Sequence, residues 1–138
     1  MKKIKNNINF INRSSSSDLY DLANKIGLNS LIIIRKKDLL KYINKYDNII
    51  MNLDDISGGT HWTAINTKKK LYFDGYSQPK PNIVPNDYRE SKLNFEIQSI
   101  NSFNSTSCGG LSVLWLWYVN YSTERKFYSL YKDVYRNV

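Results

Sequence analysis

One cysteine, one histidine and one aspartate form the reactive set with which this chain could do chemistry: Cys108, His61 and Asp74. The 138 residues contain a single Cys and a single His. A thiolate is a strong nucleophile, and an imidazole can take up and return one proton near neutral pH. A carboxylate beside the ring fixes its tautomer and supports its protonated form. Together these types suit nucleophilic acyl transfer, with a covalent thioester formed and then hydrolysed. Taken singly, each has a plainer role. A lone Cys is usually a small buried hydrophobe, and an exposed His–Asp pair contributes little.

The surrounding residues must place these groups. Cys108 follows the polar "NSTS" and opens "CGGLSVLWLWYVNY", which reads as a helix apolar on nearly every face and so a buried central element. A helix N-terminus offers unpaired N–H groups and the positive end of the dipole, both of which stabilise a thiolate. Gly109 and Gly110 follow at once. They are poor helix formers, and they leave the sulfur open to an extended substrate backbone.

His61 lies in "SGGTHWTAI", behind Gly58 and Gly59. "THWTAIN" and "KLYFDGYS", separated by "TKKK", read as a hairpin. A turn symmetric about Thr67–Lys68 pairs Asn66 with Lys69, Thr63 with Tyr72 and His61 with Asp74. Direct partners on one face have Cβ atoms roughly 4.5–5.5 Å apart. A slip by one residue would send the two side chains to opposite faces.

"GGTHWTAI", "LYFDGYSQPKP" and "SCGGLSVLW", in that order, resemble the adenovirus-type cysteine proteases. Their relatives occur in large DNA viruses, virophages and virus-like transposons, and the cellular ones act on ubiquitin-like proteins. The resemblance covers about residues 50 to 120 and, more loosely, "DLYDLANKIG". It implies that Cys108 is the nucleophile, His61 the base, Asp74 the orienting acid and Trp62 the structural neighbour of the histidine. It further implies a papain-like α+β fold of the adenain type, with a small mixed sheet around a buried helix carrying the cysteine. The implied activity is cleavage after small residues in capsid or core precursors during virion maturation. The implied location is the virion and the infected cell, without secretion. A ubiquitin-like substrate is the near alternative.

The family also has a Gln a few residues before the Cys, whose amide binds the oxyanion. Gln98 precedes Cys108 by ten positions, a little more than in the adenovirus enzyme; Asn101 stands seven before. Gln98 is the expected donor because it has the longer side chain and ends the alternating "LNFEIQ". Asn101 lies in a polar loop, where Asn is common as a turn former. The chain is shorter than the adenovirus enzyme after the cysteine helix.

The rest of the chain sets bounds. Its length fits one domain over residues 1–138 with one core, and residues 1–16 are expected to form a mobile N-terminal arm. The serine run Ser14–Ser17 leads into a helix "LYDLANKIG", capped by Ser17 or Asp18 and stopped by Gly27. "SLIIIRKKDLLKYINKY" starts like a strand and continues with helical spacing at Leu39, Leu40 and Ile43, so it stays open between the two. "NIIMNLD" and "LNFEIQSI" read as strands, "QPKPNIVP" and "NSFNSTS" as loops. "ERKFYSLYKDVYRNV" reads as a final helix with Phe127, Leu130, Tyr131 and Val134 on one side. Helices, then strands, then helices give the class α+β.

A lone cysteine excludes an intramolecular disulfide and a cysteine-built zinc site, and no cofactor or metal is implied. The N-terminus has lysines but no following apolar run, so no signal peptide is expected, and "LSVLWLWYV" is too short to cross a bilayer. The net charge of +8 and eleven tyrosines suit a polyanion partner, DNA above all, either alongside catalysis or in a non-catalytic nucleic-acid-binding protein.

Overall fold

The structure is a computed structural model, and it describes residues 15–53, 61–75, 78–93 and 108–133, with Cys108 described in its backbone alone. The protein is α+β, built on a five-stranded mixed sheet in the order β1-β2-β3-β4-β5.

Helix α1 runs Ser16–Ile26. Its cap is Ser15, upstream of the expected Ser17 or Asp18: the Ser15 hydroxyl accepts from the Asp18 amide at 3.1 Å. The cap lies three residues before the donor, so the helix takes in Ser16 and Ser17, and the expected arm of residues 1–16 overlaps it by one residue. Gly27 ends α1 with φ 78°, a left-handed conformation that glycine adopts without a Cβ penalty.

The ambiguous segment is both things in succession. β1 (Leu31–Arg35) is followed by a 3₁₀ turn (Lys36–Asp38) and a short helix α2 (Leu39–Tyr42). A strand therefore precedes the second helix, which corrects the simple order of helices, strands and helices. The reason is topological. β1 runs parallel to β2 (Asn48–Asn52), and a parallel neighbour needs a crossover of about a dozen residues, which the segment around α2 supplies. β2 pairs antiparallel with β3 (Trp62–Asn66), and β3 antiparallel with β4 (Leu71–Phe73). After the proline-rich stretch the chain returns as β5 (Arg89–Glu90), a two-residue strand parallel to β4 that no sequence signal announced.

The long apolar helix α3 (Cys108–Tyr121) lies across β3 and β2. α1 and α4 (Glu124–Tyr131) flank it. Leu19, Leu22, Phe73, Trp115, Tyr118 and Phe127 interlock in this layer, with the Phe73 and Trp115 rings stacked at 5.2 Å. The sheet's other face buries Ile49, Met51, Ile65 and Tyr72 under Leu39 and Val84. Coverage on both faces is why β1 and β2 read as unbroken apolar runs. α3 is walled by the sheet and two helices, so its sequence carries no polar stripe. Among the described residues no helix is long and apolar enough to cross a membrane.

α4 is capped by Thr123, and Phe127, Leu130 and Tyr131 are buried as expected; Val134 lies outside the described residues, as does most of "LNFEIQSI". A buried amide network ties α3 to the sheet. Asn48 Oδ1 accepts from Asn66 Nδ2 at 3.2 Å and from Asn120 Nδ2 at 2.8 Å. Asn48 Nδ2 in turn donates to the Asn29 carbonyl at 2.9 Å. Buried amides satisfied in this way fix the helix's register on the strands.

Candidate active site

The hairpin β3–β4 positions two of the four expected residues, with a register different from the symmetric one. Ala64 pairs with Phe73, Ile65 with Tyr72 and Asn66 with Leu71. The turn is therefore Thr67–Lys70. A two-residue type I′ turn needs positive φ at both central positions, which Thr67 and Lys68 disfavour. The longer turn instead places one left-handed residue, Lys70 at φ 53°. It is pinned by the Asn66 side-chain oxygen, which accepts from the Lys69 amide at 2.8 Å, and by the Thr67 hydroxyl donating to the Tyr46 carbonyl at 2.8 Å.

Relative to the symmetric pairing the strands are shifted by two residues, and a shift by two keeps every side chain on its face. Continued by one step, the ladder sets Thr63 opposite Asp74. His61 and Asp74 then become diagonal neighbours rather than direct partners, with Asp74 just past the end of β4. Diagonal positions remain within reach of long side chains. His61 Nε2 lies 2.9 Å from Asp74 Oδ1. An ionised carboxylate only accepts, so with Asp74 in that form this contact requires the tautomer in which Nε2 donates. The Asp74 side chain is fully buried and that of His61 is 14% exposed. The ring is thus partly exposed, with a buried carboxylate behind it. The backbone is held as well: the His61 carbonyl accepts from the Leu53 amide at 3.0 Å, at the end of β2.

Tyr72 shares the face of Asp74, two residues back, and is wholly buried. Burial first, and the nearby Asp74 charge in addition, push its hydroxyl well above the ordinary tyrosine value. It stays neutral beside the carboxylate. The two-residue spacing of Tyr72 and Asp74 in "LYFD" is the sequence signal that puts both on one strand face.

The third element arrives through packing. A Cβ on Gly109 would lie 2.9 Å from Trp62 Cδ1 and 3.0 Å from Leu19 Cδ2. The first turn of α3 therefore seats directly on the tryptophan that follows His61. Ser112 reinforces this contact, its hydroxyl donating to the Trp62 carbonyl at 3.5 Å. So the residue after Cys108 touches the residue after His61. Gly109 serves first as a close-approach residue for the helix. Gly109→Ala is expected to lower stability by about 1–3 kcal/mol through overpacking, although alanine is the better helix former by about 1 kcal/mol. Urea unfolding measures it; an unchanged or raised midpoint would show that Trp62 and Leu19 yield.

Gln98, Asn101, Gly58 and Gly59 lie outside the described residues, as does the side chain of Cys108. Among the described residues no group of three or more His, Cys, Asp or Glu gathers to hold a metal ion. No family model, no curated protein and no solved structure matches the chain.

Proposed function

We propose that the protein is a cysteine endopeptidase of the adenovirus type, with a papain-like arrangement of cysteine helix and histidine strand. One observation carries the reading: His61, just before β3, and Asp74, just past β4, meet at 2.9 Å, and Trp62 at the start of β3 receives the first turn of the cysteine helix.

In this mechanism the Asp74 carboxylate holds the ring by Nε2, and the proton moves through Nδ1. The Cys108 thiolate attacks the peptide carbonyl carbon. The oxyanion is met by the Cys108 backbone N–H and the Gln98 amide. As the tetrahedral intermediate collapses, the C–N bond breaks and His61 delivers its proton to the departing amine, leaving a thioester. Water then adds to the thioester with His61 taking its proton, and the thiolate leaves. The proposed substrates are capsid or core precursors cut after small residues, in the virion or infected cell; ubiquitin-like modifiers are the alternative substrate. The test is incubation with viral capsid precursor proteins and mass spectrometry of the products. Defined cuts made by the parent chain and lost in Cys108→Ala support the reading; intact precursors oppose it.

A second property is favoured by charge. Twenty Lys and Arg stand against twelve Asp and Glu. On α4 and at its C-cap, the Arg125 guanidinium and the Lys132 ammonium lie 5.4 Å and 4.8 Å from the Tyr128 ring. Cations interleaved with an aromatic suit a nucleic-acid backbone and its bases. Affinity for random duplex DNA is expected to fall log-linearly with salt, with a slope of about −0.9 per phosphate contacted. Absence of binding at low salt would leave the charge as a solvated surface.

A further inference from the structure

A cleft of about 760 Å³ opens at the end of the sheet where β1 and β2 finish and β3 begins. The register places Arg35 beside Asn52, and Asn52 beside Trp62. These three side chains share the sheet face that carries α1 and α3. Ile33 supplies apolar wall on this face, Ile34 and Tyr42 supply it from the sheet's other face, and Lys37 joins Arg35 as a second cation. Both cations are exposed, and neither forms an ion pair among the described residues. Asp38 is the one carboxylate among the described lining residues. Among its described residues the cleft thus has an apolar wall, an excess of positive charge at one end, and at the other end Trp62, the residue that follows His61.

We propose that this cleft is the specificity groove of the site and that it takes an extended peptide bearing an acidic side chain, held by Arg35 and Lys37. The inference rests on the protease reading for its catalytic consequence, but the groove itself is defined by its own residues. Two strand spacings separate Arg35 from Trp62, about 10 Å. An extended peptide rises about 3.3 Å per residue, so an acidic side chain at Arg35 stands about three positions along the peptide from the residue over Trp62. Charge decides the occupant. A basic segment, such as the chain's own "MKKIK", would be repelled by the same two cations.

The experiment uses fluorescein-labelled decapeptides of Gly, Ala and Leu, in which one Glu or one Lys is walked through every position. Cleavage and anisotropy are measured with the parent chain and with Arg35→Glu/Lys37→Glu. The expected result is a preference for Glu over Lys of about tenfold in kcat/KM at a single position of the peptide. The charge-reversed variant should invert that preference. Cleavage with no Glu preference at any position overturns the groove and leaves the protease intact. Selective binding of the Glu peptides without cleavage, lost in the charge-reversed variant, upholds the groove and sinks the protease reading. Absence of both binding and cleavage overturns the proposal.

Discussion

Cys108→Ala is expected to abolish peptide hydrolysis while the chain still unfolds cooperatively. Loss of a catalytic nucleophile costs about 10⁶ in turnover in comparable triads, which brings the rate below ordinary detection. The fold should tolerate the change, because α3 is held by contacts further along the helix. Gly109 sits on Trp62 and Leu19, Trp115 stacks on Phe73, and the Trp115 indole N–H donates to Glu124 at 3.0 Å. Alanine is also a good helix former. Peptide cleavage and a thermal melt on the same sample make the measurement. Full activity in the variant would remove Cys108 from the mechanism.

The second large effect is expected at Asp74. Asp74→Ala should lower kcat by about 10³–10⁴ with little change in KM, because tautomer control acts in the transition state. The carboxylate is fully buried, so its removal also opens a void beside Tyr72 and will cost some stability. Asp74→Asn separates the two effects. Its amide oxygen can still accept from Nε2 in nearly the same volume, so it should recover much of the lost turnover. Equal losses in both variants, each tracking the fall in melting temperature, would mark Asp74 as a purely structural residue.

Much of this arrangement is legible in the residues themselves. The apolar helix at Cys108, the stop at Gly27 and the hairpin flanking "TKKK" follow from periodicity and turn chemistry. The pairing of His61 with Asp74 was legible as a shared face, since only the parity of the register had to be right. Its direct form was not. The register depends on which turn Thr67–Lys70 adopts, and that is decided by tertiary anchors on Tyr46 and Asp47 that no local pattern encodes. The two-residue β5 is too short for any period to show. The role of Gly109 was half visible: its presence in a first helical turn asked for close approach, but the group approaching is Trp62, nearly fifty residues away in sequence. The cationic cleft was invisible for the same reason. Arg35 and Trp62 become neighbours only through the strand order β1-β2-β3.

The chain's single cysteine gives the central claim a one-site readout, the rate of iodoacetamide alkylation as a function of pH. An ordinary thiol with pKa about 8.5 is almost wholly protonated at pH 6. A thiolate paired with His61 at a helix N-terminus is largely ionised there. After allowing for the lower nucleophilicity of a low-pKa thiolate, the net gain at pH 6 is about tenfold. The account predicts that Cys108 reacts that much faster than a free thiol at pH 6, and that His61→Ala returns both the rate and the titration to ordinary values. A single titration near 8.5, the same with and without the histidine, would contradict it.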